Sequence, residues 1–300
     1  MFALVVVPLV VAVVLATVMT AVHRRLPPAL ASKVVTITLG AVVVAAVPTV
    51  WVVALGYVTH ISILGGWFEW CAKAFGVHAP VFGGHEPVPA WAGVPAVALT
   101  VFGLVRMRAV VRSYRRLRHD GCASVEVAEH AEPFAYTLPG RGGRVVVSSG
   151  LVELLDDDER EVVLAHERAH GRHRHDRYLL VAQLAAAVVP FARPLAARLR
   201  FSLERWADEH AAAACGDRRF VAHTLGKVAL HRSSGVSPAG ALGFGGLGVP
   251  ARVAALLAPA STAPRSVEAA AIWSAIAVIG GLAILQIHHL EVVVRALCPW

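Results

Sequence analysis

Charge is scarce in this chain. Asp, Glu, Lys and Arg make up 16% of its 300 residues, while 57% are hydrophobic. The mean hydropathy is +0.62. An ordinary soluble domain carries about 25% charged residues, so a plain soluble protein of this length is excluded. Cysteine is sparse too. The four cysteines show neither zinc-finger nor redox-pair spacing. Cys122 and Cys215 read as free thiols, whereas Cys71 and Cys298 could bridge in an oxidising compartment. No Ser-His-Asp arrangement, phosphate-binding glycine loop or nucleic-acid module stands out, and internal repeats are not evident.

What is present in quantity is uncharged sequence. Phe2 to Val22, Val34 to Val58, Val88 to Val105 and Ala269 to Ile287 contain no charged residue. Each is long enough to cross the roughly 30 Å hydrocarbon core of a bilayer. The first run has no basic residue before it and Arg24-Arg25 after it, the reverse of an export signal. These spans hold almost no ionisable groups, which argues against a transporter with a polar pathway.

Basic residues orient the chain. Arg24, Arg25 and Lys33 lie between the first two runs, and most of the others lie between Arg106 and Arg265. The positive-inside rule puts both segments in the cytoplasm, led by Arg106, Arg108, Arg112, Arg115, Arg116 and Arg118 directly after the third run. The net charge of +8 is thereby explained by anionic headgroups, with no direct nucleic-acid partner expected.

The chemistry-bearing motif is His166-Glu167-Arg168-Ala169-His170. On a helix, i and i+4 share a face, so both imidazoles can reach one metal ion. Glu167 is turned about 100° from His166, beside the open position where a water's proton must be accepted. Asp156 to Asp158 suit the start of that helix, and Val162, Val163, Ala165 and Ala169 give it an apolar side. Leu199 to Ala214 holds no Pro or Gly and reads as a second helix. There Glu204 is the candidate third zinc ligand. Asp208, on the same face, would hydrogen-bond the far nitrogen of a ligand histidine. The plainer reading makes both of them solvated surface charges paired with Arg200 or Arg205.

The run Gly150 to Glu159, then Val162 to His170, then Glu204-x-x-x-Asp208 resembles the gluzincin membrane proteases, in particular the HtpX-like and BlaR/MecR-type antirepressor peptidases. The stretch Tyr136 to Gly140 followed by Arg144 to Gly150 is similar as well, so the resemblance covers about residues 130–215. Arg168 departs from it, a charge where those proteases carry a small or apolar residue. The resemblance implies one Zn2+ per chain, held by His166, His170 and Glu204, with Glu167 as general base. It implies a strand at the edge of the cleft, and Val145 to Val147 are expected to offer a free edge to an extended peptide. The BlaR/MecR-type relatives carry three spans before the protease domain and one after it, and act on a transcriptional repressor. The HtpX-like role is quality control of membrane proteins. A non-catalytic zinc-binding signalling scaffold is the rival, and the intact Glu167 argues against it.

The expected fold is a mainly α membrane protein. Four transmembrane helices (about 2–22, 34–58, 88–105 and one within 268–300) carry a cytoplasmic zincin-like α+β domain over 106–267 with a short edge sheet. The expected setting is a bacterial cell membrane, with a protein or peptide as substrate and the lipid bilayer as partner. Tyr178 to Pro190 is apolar but cannot cross fully, because Glu204 would then lie on the opposite side from His166 and His170. It is expected to form a buried or membrane-dipping helix. His173 shares the ligand face and is either a substitute ligand, a proton shuttle or part of a solvated basic tail. His210 is a candidate oxyanion stabiliser, and His223 a weaker one. Gly235 to Gly248 reads as a mobile linker or a lid.

Overall fold

Each uncharged run coincides with a long helix, the third from Ala90 onward. The computed structural model describes residues 2–58, 88–231 (without 120, 122, 123, 141 and 142), 248–260 and 265–297. The 59–87 loop, Cys71, Cys122, Cys298 and residues 235–247 of the glycine-rich segment lie outside the described residues. Helix α1 spans Phe2–Val22, α2 Pro28–Val58 and α3 Ala90–Leu117. The last described helix, α10, spans Arg265–Leu297. α2, α3 and the segment Ala269–Gln286 of α10 are long and apolar enough to cross a membrane. α1 has 21 residues, about 31 Å of helix.

The helices outrun the apolar runs. α3 passes without a break from Val105 through Arg106, Arg108, Arg112, Arg115 and Arg116. Arginine is a good helix former, and nothing after Gly103 interrupts the spiral. The change at residue 105 is therefore one of composition and not of backbone. α2 begins at Pro28, ahead of the apolar run, because the first helical position needs no N–H.

A small sheet follows. Strands β1 (Val125–Ala128), β2 (Ala135–Thr137) and β3 (Val145–Ser148) stand in the order β1-β3-β2. β1 is parallel to β3 and β2 antiparallel, with Tyr136 opposite Val146. This corrects the expectation for Val145 to Val147. Both edges of β3 are used and its four residues are buried, as a run of β-branched side chains favours for a central strand. The edge strand beside the metal-binding helix is β2.

The remaining helices are α4 (Ser149–Leu154), α5 (Asp157–Arg172), α6 (His175–Val188), α7 (Arg193–Cys215), α8 (Arg218–Leu230) and α9 (Val249–Leu257). α5 starts with a capping box. Asp156 Oδ1 accepts from Glu159 N at 2.8 Å, and Glu159 Oε2 accepts from Asp156 N at 3.1 Å. α7 ends where Gly216 takes a left-handed conformation, φ 76°.

The apolar run from Tyr178 becomes α6, which packs on α2 and α3. A short 3-10 turn at Pro190–Ala192 reverses the chain, and α7 returns alongside α6. α5 and α7 thus pack against each other, which brings His166 and His170 near Glu204. Two cores result. Leu39, Val42, Leu179, Leu195, Leu199 and Leu203 belong to the first, among α1, α2, α6 and α7. Val145, Leu151, Val162, Ala211, Val221 and Leu256 belong to the second, between sheet and helices. α7 contributes to both, and Glu204 and Asp208 sit where one core gives way to the other.

Candidate metal centre

His166 and His170 lie one turn apart on α5 and are 0% and 3% exposed. Their Nε2 atoms approach to 3.1 Å. From α7, Glu204 comes in with Oε2 3.6 Å from His166 Nε2 and Oε1 3.9 Å from His170 Nε2. Zinc bonds to nitrogen and oxygen are about 2.0–2.2 Å long, so tetrahedral ligand atoms stand roughly 3.3–3.5 Å apart. The two imidazole nitrogens are spaced as ligands of one zinc ion would be, and Glu204 presents one oxygen to each of them at slightly longer range. His166, Glu167 and His170 also converge closely enough to hold a metal, so Glu167 borders the same point.

The charges fit as well. Glu167, Glu204 and Asp208 are all essentially buried, and so is one cation, Arg252 of α9. Carboxylates outnumber guanidiniums around the histidines. Buried negative charge is costly unless it is compensated, and a proton on His166 or a bound cation would offset it. The histidines report the same field. Burial alone would lower His166, but the carboxylates of Asp208 and Glu204 outweigh it and raise it to about 9. The site thus favours positive charge at His166, and a metal ion held there would take the place of that proton.

Each ligand histidine is held from behind. His166 Nδ1 lies 3.1 Å from Asp208 Oδ1, the arrangement expected of a carboxylate that fixes a ligand's tautomer. His170 Nδ1 lies 2.7 Å from His175 Nδ1. Burial, and then the neighbouring His173, lower His175 to about 3, so it stays neutral and can accept from His170. His170 itself is held well below its usual value, first by burial and then by His166 and His175. His175 lies in the basic run 172–177 and gives no sequence signal of this role. Its burial comes from heading α6 beneath Trp206, with ring centres 4.8 Å apart.

Arg252 was also invisible in the sequence. Its Nε and Nη2 donate to Asp208 Oδ2 and Oδ1 at 2.8 and 2.6 Å, and its Nη1 stands 2.7 Å from Glu204 Oε2. One planar fork thus holds Asp208 by two hydrogen bonds and pairs with the candidate third ligand, Glu204. Burial tends to raise Asp208, but the charge and hydrogen bonds of Arg252 reverse this and bring it to about 2. The surface-charge reading of Glu204 and Asp208, with Arg200 or Arg205 as partners, is not what the structure shows. The available signal was a single basic residue in the otherwise apolar Val249–Leu257.

Glu167 is held from β2. Thr137 Oγ1 lies 2.8 Å from both the main-chain oxygen and Oε2 of Glu167. The hairpin can come this close because Gly143 meets Gly171. A Cβ on Gly171 would stand 3.0 Å from Gly143 Cα, and Gly143 has φ +64°. Arg168 points away from the site, is more than half exposed and pairs with Glu161.

The other histidines are placed differently. His173 is half-buried, stacked on Trp206 at 4.6 Å, and its Nε2 lies 3.3 Å from His210 Nδ1. It is thus not a solvated tail, and His210 engages His173. His223 is exposed on α8. Cys215 is an exposed free thiol.

Comparison with known proteins agrees with this geometry. Residues 107–207, about a third of the chain, match the sequence model of Peptidase family M48. Over 85 residues the chain is 33% identical to a "Protease HtpX homolog" of Thermoplasma acidophilum, which covers 28% of this chain and 27% of that protein. The chain thus matches about a quarter of the relative's length. No solved structure matches. The resemblance to HtpX-like membrane metallopeptidases is borne out over the segment that carries the His-Glu-x-x-His motif and Glu204.

Proposed function

We propose that this chain is a membrane-embedded zinc endopeptidase. The observation that carries the reading is the convergence of His166, Glu167 and His170 on one point, with the Glu204 carboxylate alongside, its Oε2 3.6 Å from His166 Nε2 and its Oε1 3.9 Å from His170 Nε2. His166, His170 and Glu204 would hold one zinc ion, which when bound supplies Lewis acidity for a peptide carbonyl and for the attacking water. Glu167 accepts the proton of that water and later returns it to the leaving amine. Thr137 steadies the carboxylate for both transfers, and Asp208 and His175 keep the ligand imidazoles in the required tautomers. His210 sits against His173 and has no assigned step.

The substrate is an extended segment of a protein. β2 is an edge strand and is half-exposed from Tyr136 onward, so a peptide added there would lie across Glu167. His166, Glu167 and Glu204 are buried, so a substrate reaches them only if the β2–β3 hairpin moves away from α5.

The membrane setting rests on the apolar helices and on the HtpX homolog. We place four crossings, with α1 and α10 flanking α2 and α3, and the domain over 106–267 on the cytoplasmic side. Of the two roles the resemblance implies, quality control of membrane proteins has more support than cleavage of a transcriptional repressor, because the curated relative is an HtpX homolog. The test is cleavage of an unfolded protein by the full chain in detergent. Activity is expected to stop on chelation and return with zinc. Cleavage that survives full metal removal would reject the reading.

A further inference from the structure

A large apolar cavity lies away from the candidate metal centre. It has a volume of about 570 Å3 and lies between α2, α3 and α6. Its walls are apolar, among them Leu39, Val47, Trp51, Leu104, Leu184 and Phe191. Along α2 it extends from Leu39 to Trp51, about 18 Å of helix.

A second hollow of about 480 Å3 adjoins it, and Val181 lines both. The character changes there. Its walls include Arg172, Arg174, Arg177, Thr36 and Tyr178, with no carboxylate. The three arginines are exposed. Among the described residues no Asp or Glu lies within ion-pair distance of any of them. Arg174 also holds a left-handed backbone, φ 52°, which is strained for a non-glycine residue. It is the single non-glycine residue in that region among those described.

The two hollows lie at different depths. The apolar one falls within the uncharged stretches of α2 and α3. The basic one opens beside Thr36, at the start of the uncharged run from Val34 and next to Lys33. On α3 the change comes at the same end, where Arg106 follows Val105. An apolar groove inside the membrane layer thus leads to three unneutralised guanidiniums at its boundary.

We propose that this is a binding site for one anionic phospholipid of the cytoplasmic leaflet. The phosphodiester is held by Arg172, Arg174 and Arg177, with the Tyr178 hydroxyl on the same wall as a further donor. An acyl chain fills the groove past Val181 toward Phe191. Charge complementarity selects this occupant, since a neutral lipid or an apolar helix would leave three cations unmatched. The site is independent of the metal chemistry and rests on α2 and α3 crossing the bilayer.

The test is native mass spectrometry of the full chain in detergent, titrated with phosphatidylglycerol, phosphatidylcholine or glycerol phosphate. Phosphatidylglycerol is expected to bind on the order of a hundredfold more tightly than in the triple variant Arg172→Gln/Arg174→Gln/Arg177→Gln, as three basic contacts predict. Arg177→Gln alone should lose about fivefold, which guards against misfolding of the triple variant. Val181→Trp, which plugs the neck, should weaken binding while leaving the arginines in place. Equal affinity for both lipids would overturn the proposal and leave the groove to an apolar partner helix. Displacement by glycerol phosphate would overturn it in favour of a soluble phosphate ester. A chain that leaves the membrane without detergent would remove the bilayer reading itself and with it this site.

Discussion

Glu167→Gln is expected to lower peptide-bond cleavage by about 10²–10⁴-fold while the protein still binds one zinc ion. Glutamine has the same shape, can still meet Thr137 Oγ1, and cannot accept a proton. His166, His170 and Glu204 are untouched, so metal content should not fall. Losing a buried negative charge beside Glu204 removes repulsion, and the thermal midpoint should hold or rise. Parallel assays of zinc content and cleavage on wild type and variant read both quantities. Undiminished cleavage would mean that another group moves the proton and that the position of Glu167 is incidental.

Arg252→Met is expected to destabilise the metal-free protein by about 3–5 kcal/mol, the cost of stripping a buried ion pair of one partner. The side chain is completely buried and touches two carboxylates, so none of its charge is replaced by water. Asp208 should lose its strong acidity, and with it the contact that fixes His166. Zinc affinity should therefore fall together with stability, and added zinc should recover part of the lost thermal midpoint by mass action. Arg252→Lys keeps the charge but not the fork, and should lie between the two. A small shift in Arg252→Met would show that the carboxylates are balanced by some other group. Thermal melts with and without zinc check this.

Much of the site could be read from the sequence because helical spacing is rigid. His166, Glu167 and His170 are local, and Asp156 to Asp158 mark the start of their helix. Glu204 and Asp208 were legible from spacing on a second helix and from the motif before it. Even the return of α7 alongside α6 follows from one metal needing ligands at one level. The parts that escaped all depend on segments far apart in sequence. Arg252 meets Asp208 only because α9 packs against α7 and α8. His175 becomes a partner of His170 only because the chain turns back at Arg174 and buries it under Trp206. The place of β3 in the sheet escaped for a different reason. Three valines favour a strand equally at an edge or in the middle, and the choice was made by β1, whose half-exposed sequence gives little signal. The ends of α2 and α3 were misjudged because hydropathy reports the solvent around a helix, not where its hydrogen bonds stop.

The site is also sealed tightly enough to matter for function. His166, Glu167, His170 and Glu204 are nearly inaccessible. On the proposed function, a substrate would reach them only once β2 and β3 separate from α5, and the close approach of Gly143 and Gly171 lies on that seam.

The central claim is a zinc ion held by two imidazoles and one carboxylate, and zinc K-edge X-ray absorption on the purified chain tests it most directly. The account predicts one zinc per chain with nitrogen and oxygen neighbours at about 2.0–2.2 Å, a clear imidazole signature and no sulfur shell. Glu204→Ala should lose the metal or change that first shell. Absence of bound zinc after loading, sulfur ligation, or a spectrum indifferent to Glu204→Ala would contradict the account.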